Sequence, residues 1–220
     1  NAFITFYRSG VGLYLLSCLD KKCTAAFLQQ RVIAPATAGH DTGLYSSVAV
    51  DPRTGLAAIA LHDATQLQLQ LILCQDSLCT LSTTRTFPSL YGWDPAVVFD
   101  PVTNSPVISF SDPSALGGGA VFVTSCINAM CTNTSTFAVG SGSQYEMVRV
   151  ASNSFYRPLV VAHDHIATNL VAFLVPYDVN CLSAATSPCN FEFVLQIEQP
   201  TKNPFVTNAD VVDVVVRATP

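Results

Sequence analysis

Three short stretches of the chain share one pattern, Cys-x-[Asp/Asn]-x-x-Cys-Thr, running from Cys18 to Thr24, from Cys74 to Thr80 and from Cys126 to Thr132. A fourth pair, Cys181 and Cys189, encloses a longer segment that contains Pro188. The first cysteines of the four pairs lie 56, 52 and 55 residues apart. Self-similarity at a near-constant period of this size means repeated supersecondary units, each stacked on its neighbours. With 220 residues, the chain has room for four.

Eight cysteines allow about 105 disulfide connectivities. Four copies of one local spacing favour four local bridges: Cys18–Cys23, Cys74–Cys79, Cys126–Cys131 and Cys181–Cys189. A tetrahedral zinc site would have to combine two pairs that are more than 50 residues apart, which makes it the weaker reading. A bridge closing a loop of about six residues contributes about 2 kcal/mol in the chain-entropy model. Such bridges clamp hairpins, and they persist only in an oxidising compartment.

Half of the residues are hydrophobic and only 11% are charged, which excludes a disordered chain. The apolar runs, such as 170–176 and 214–216, are far shorter than the roughly 18 residues of a membrane helix, so no membrane insertion is expected. Ten basic residues against fifteen acidic ones give a net charge of −5, and Lys21, Lys22 and Lys202 are the only lysines. Phosphate binding needs concentrated positive charge, so no nucleic-acid partner is expected. Serine and threonine together supply 39 residues, and Asn133-Thr134-Ser135 is a glycosylation sequon, both of which suit a secreted glycoprotein. Asn1 opens directly into a strand-like run without a signal peptide, as a processed or excised chain would.

Aligning the chain on its cysteines predicts four strands per unit. They fall at 46–50, 56–61, 67–74 and 79–85 in the second unit, and at 96–99, 106–110, 120–126 and 131–139 in the third. The fourth unit has 146–150, 158–162, 169–175 and 190–197. Turn chemistry separates the first two strands, as in Asp51-Pro-Arg-Thr-Gly55 and Asp100-Pro-Val-Thr-Asn104. Short β-branched strands at regular spacing, without helical periodicity, indicate an all-β protein. The first unit offers only 2–7, 13–18 and 23–31 and lacks a first strand. The missing strand is expected at 210–217, so the units run 1–43 plus 209–220, 44–92, 93–143 and 144–208.

Period, strand count and displaced strand together resemble a small β-propeller, in which the last strand completes the first blade. A ring of four is the small end of such folds, as in hemopexin-like domains. The cysteine pattern is similar to that of extracellular propeller repeats whose Cys-Asp-x-x-Cys clamp joins the third and fourth strands. That resemblance implies binding or scaffolding rather than catalysis. The competing architecture is a β-sandwich of about sixteen strands whose period is accidental.

On the propeller reading, the irregular connections share one face. That face would carry His62-Asp63, Ser111-Asp112 and His163-Asp164-His165, with His40-Asp41 in a spacer. His and Asp can coordinate metal or transfer protons, but Asp63, Asp112 and Asp164 occupy equivalent positions, as residues capping a repeated turn do. Three acids around an axis would also suit a glycosidase, yet nothing marks Glu146, Glu192 or Glu198 as a general acid. Trp93 and Tyr91 would form either a sugar-stacking shelf or a ring that seals two units. No nucleophile elbow, phosphate loop or His-Glu-x-x-His motif is present, so neither catalysis nor a bound metal or cofactor is expected.

The segment 209–217 holds Val211, Val212, Val214, Val215 and Val216, interrupted by Asp213. A strand this apolar must be paired, because an exposed apolar edge invites other chains. It returns to its own first unit or adds to that of a neighbour. The sequence therefore points to a structural or self-assembling extracellular module, a filament or coat subunit partnered by copies of itself. A secreted lectin-like domain that binds glycans is the alternative.

Overall fold

The computed structural model describes residues 2–18, 24, 28–35, 41–88, 90–115, 119–153, 156–166, 169–174 and 195–197. Among them there is no helix, and the strands form four antiparallel sheets in chain order. The first contains β1 (Ala2–Arg8), β2 (Gly12–Cys18) and β3 (Leu28–Pro35). The second contains β4 (Thr42–Val50), β5 (Ala57–Asp63), β6 (Gln68–Cys74) and β7 (Ser82–Phe87). The third runs through β8 (Trp93–Phe99), β9 (Pro106–Asp112), β10 (Ala120–Cys126) and β11 (Thr134–Ser141). The fourth has β12 (Tyr145–Asn153), β13 (Tyr156–Asp164), β14 (Asn169–Leu174) and β15 (Leu195–Ile197). Each sheet is a meander in which consecutive strands pair. Cys23, Cys181, Cys189 and the segment 209–220, with Val211, Val212, Val214, Val215 and Val216, lie outside the described residues.

Successive sheets stack through alternating side chains. Neighbouring residues of a strand point to opposite faces, and β5 is buried along its whole length. Ala57, Ile59 and Leu61 join Leu13 and Leu15 of the first sheet in one core. Ala58 and Ala60 join Val97, Ile108 and Phe110 of the third sheet in another. The third core unites Val107, Val121 and Val123 with Val148, Val160, Ala162, Val171 and Phe173 of the fourth sheet. A strand buried on both faces must be apolar throughout, which accounts for runs such as Ala57-Ala-Ile-Ala-Leu61.

Disulfides join Cys74 to Cys79 and Cys126 to Cys131, and Cys18 is also disulfide-bonded. Such bonds belong to an oxidising environment. Each clamp does more than close its own hairpin. Cys74 and Cys79 sit in the core shared with the first sheet, and Cys126 and Cys131 in the core shared with the second. The rest of the motif closes the loop. Asp76 accepts the N–H groups of Leu78, Thr80 and Leu81 and the Thr80 hydroxyl, at 2.6–3.0 Å. Asn128 accepts from the Thr132 N–H at 3.1 Å and donates to the Thr132 hydroxyl at 2.7 Å. The second cysteine of each clamp is left-handed, with φ 55° at Cys79 and 51° at Cys131. These loops delay the fourth strands, which begin at Ser82 and Thr134 rather than at the cysteines. In the first unit the corresponding strand begins at Leu28, five residues later than the sequence suggests.

Gly43 and Gly92 hold equivalent places just before or within the first strands, at φ 102° and 68°. A Cβ at Gly92 would lie 2.6 Å from Leu69 Cα, and one at Gly43 would lie 2.6 Å from Leu13 Cβ. Each glycine thus lets the incoming segment approach a strand of the preceding sheet, β2 at Gly43 and β6 at Gly92, at close range. Among the described residues no helix is long and apolar enough to cross a membrane.

Candidate functional site

The first strands of the last three sheets carry the same irregularity near their start. Tyr45, Asp94 and Met147 have φ of 49°, 48° and 51°. Pairing with the second strand shifts register beside each, between Leu44 and Ser47, Trp93 and Ala96, and Glu146 and Arg149. These are β-bulges, which bend a strand and re-aim its side chains. β4, β8 and β12 also contact one another in succession, so their bulges gather side chains from three units at one end of the sheets.

Tyr45 is 44% exposed, and its ring lies 4.6 Å from that of Trp93. Trp93, half-buried, meets the His62 ring edge-on at 5.4 Å, and Tyr91 stacks on His62 at 5.5 Å. Trp93 therefore seals the second and third units while leaving Tyr45 at the surface. His62 is fully buried, with Nδ1 2.9 Å from the Tyr91 carbonyl oxygen. Burial lowers its pKa, against the opposing effects of that hydrogen bond and of Asp63. Burial, and then the negative charges of Asp94 and Glu146, raise the pKa of Tyr45. Asp94 in turn receives Arg149 Nη1 at 3.1 Å.

The acids that end the second strands act as caps. Asp63 accepts the N–H groups of Thr65 and Gln66 and the side-chain amide of Gln70 at 2.9–3.0 Å. Asp112 accepts from the N–H and hydroxyl of Ser114, at 2.8 and 2.6 Å. Asp164 accepts the Ile166 N–H at 3.0 Å and the Ser143 hydroxyl. Asp63 and Asp164 are buried. The pairing register shows Arg8 at the position of these acids and Tyr7 at that of His62, Ser111 and His163. Tyr7 donates to Asp41 at 2.5 Å, which ties the first sheet to the segment entering β4.

The bulge in β12 sets Glu146 directly opposite His163 of β13. His165 follows in the turn, and one ligand atom each from Glu146, His163 and His165 lies within 4.8 Å of the other two. Among the described residues this is the one group of three or more His, Cys or carboxylate side chains that could hold a metal ion. His163 Nδ1 is buried, and none of the described residues hydrogen-bonds to it. The ligand face expected at His62, Asp63, Asp112, His163, Asp164, His165 and Trp93 therefore divides. His62, Asp63 and Asp164 are internal, Asp112 caps its own turn, and His163 and His165 meet Glu146. Sequence reasoning missed Tyr45, Asp94 and Glu146 as members of this site. Asn133, which opens the sequon, is exposed at the end of the third unit's clamp loop.

A hollow of about 510 Å³ opens at the opposite ends of the same strands. Ala49, Val50, Val98 and Phe99 line it, beside the turn residues Arg53 and Asn104. No protein-family model and no curated protein matches the chain.

Proposed function

We propose that the chain is a non-enzymatic, secreted module of four-bladed propeller type that assembles with copies of itself by strand addition. The observation that carries this reading is the state of β1. Its counterparts β5 and β9 are buried essentially throughout, whereas β1 alternates between exposed and half-buried. Among the described residues β1 pairs with β2 alone, so no described strand covers its other edge. Ile4 and Phe6 are 50% and 39% exposed. They occupy the positions at which Ile59 and Leu61 of β5 pack on the preceding sheet. The valine-rich segment 209–217 has the length and composition to pair with that edge. Entry from a neighbouring copy gives a head-to-tail contact that propagates.

Further support comes from the successive contacts of β4, β8 and β12, from the repeated bulge, and from the three acids, each of which caps the turn after its strand. Light scattering over a concentration series, with electron microscopy, tests the reading. Oligomers or fibres are expected from the intact chain, and monomers from Phe6→Lys or from a chain lacking 209–220. Isolated discs of intact protein at high concentration would overturn it. Glycan binding would then lead, supported by the exposed Tyr45 ring against Trp93 beside Asp94 and Glu146. A glycan array with Tyr45→Ala as control checks that alternative.

A further inference from the structure

We infer that Glu146, His163 and His165 form a binding site for a divalent transition-metal ion of the zinc class. This goes beyond the assembly reading and does not rest on it. Two imidazole nitrogens and one carboxylate oxygen suit zinc and its first-row neighbours, whereas calcium and magnesium prefer oxygen ligands throughout. Ligand atoms around a tetrahedral zinc ion, each about 2.0–2.2 Å from it, must approach more closely than the present limit of 4.8 Å. Glu146 and His165 are exposed, so their side chains can make that adjustment by rotation.

The backbone around the three ligands is braced. Glu146 and His163 are cross-strand partners. His165 donates its N–H to the Gln144 carbonyl at 2.8 Å, which pins the turn after β13 to the segment entering β12. Asp164, between the two histidines, holds the same turn through Ile166 N–H and the Ser143 hydroxyl. His163 Nδ1 is the atom with the most to gain. A buried nitrogen without a partner is costly, and His163 Nδ1 has none among the described residues. A metal ion bound through that nitrogen, or a water held by the ion, supplies the partner. With three protein ligands, the ion keeps a position for water or an oxygen-bearing ligand.

Calorimetric titration of the whole chain with zinc chloride tests the site, alongside NMR of the imidazole nitrogens. One zinc per chain is expected, with the His163 and His165 resonances moving and those of His62 staying in place. His165→Ala alters an exposed turn residue, so the fold should persist. It should weaken binding by more than the roughly 10–100-fold typical of losing a ligand's supporting partner. Glu146→Gln should weaken it in the same direction. Absence of stoichiometric binding, or affinity unchanged in both variants, would overturn the inference. So would zinc-induced shifts confined to other histidines.

Discussion

Asn104 donates its side-chain amide to Asp51 Oδ1 at 2.7 Å, joining the same turn of two consecutive units in a buried position. Burial alone would raise the Asp51 pKa. The Thr54 hydroxyl, the Arg53 N–H and Asn104 outweigh it, and hold the carboxyl below the usual range. Asn104 is also left-handed, at φ 54°, where asparagine is better tolerated than most residues. Asn104→Ala should therefore cost about 1–3 kcal/mol, the typical penalty for leaving a buried polar partner unmatched. Asn104→Asp should cost more at neutral pH, because it sets two carboxylates together. Urea denaturation of both variants measures the order, and equal stability of Asn104→Ala and wild type would refute it.

The clamp motif makes a prediction about acid. Hydrogen bonds from the Thr80 hydroxyl and N–H, together with those from Leu81 and Leu78, hold the Asp76 carboxyl well below its ordinary range, and desolvation only partly opposes them. A carboxyl depressed on folding stabilises the protein above its unfolded pKa, about 3.9, and loses that contribution as pH falls toward the folded value. Wild type should thus lose stability on acidification below about pH 4. Asp76→Asn should be less stable at neutral pH but flatter with pH in that window. Thermal melts from pH 2 to 7 read both effects. Identical acid slopes would mean that Asp76 does not carry this dependence.

Close approach between sheets predicts a steric limit at Gly92. A side chain there would meet Leu69 backbone at 2.6–2.8 Å while also forcing an L residue to φ 68°. Gly92→Ala should destabilise by several kcal/mol, since overpacking against backbone typically costs about 1–3 kcal/mol before the strained φ is added. Gly55→Ala is the control. Its φ is 72° but its Cβ would enter open space, so only the conformational cost should appear. Chemical denaturation compares the two, and equal losses would show that the contact with Leu69 relaxes freely.

Much of this arrangement was legible from the residues. The clamp spacing and the Asp-Pro-x-Thr turns locate β5, β6, β9 and β10 to within one or two residues, because a strand buried on both faces must be apolar and must stop where a turn can form. The bulges were not legible. Tyr45, Asp94 and Met147 share a left-handed backbone but no side-chain chemistry, so no residue type announces them. Their consequence reaches the candidate site directly. Counted evenly from the pair Arg149–Val161, Glu146 would oppose Asp164; the register shift places it opposite His163 instead. In a strand, a slip of one residue exchanges one face for the other. β1 illustrates a different limit. Its residues read as an ordinary strand, and only the pairing register shows that Ile4 and Phe6 stand where a preceding sheet packs in the later units.

His62 sets the last expectation, in a pH window separate from that of Asp76. Its Nδ1 donates to the Tyr91 carbonyl at 2.9 Å when the ring is neutral, leaving Nε2 as a buried lone pair without a partner among the described residues. Protonation would put a charged N–H at that dry position, between the rings of Tyr91 and Trp93. Burial is the main reason the pKa falls, only partly offset by the Tyr91 hydrogen bond and the charge of Asp63. The unfolded chain therefore takes up a proton near pH 6.5, whereas the folded chain takes it up only at lower pH. Stability must fall as pH drops through that interval and level off below the folded value. His62→Gln can still donate to Tyr91 but does not titrate, so the slope of melting temperature between pH 5 and 7.5 should shrink. If the slope survives His62→Gln unchanged, the neutral buried imidazole is not its source.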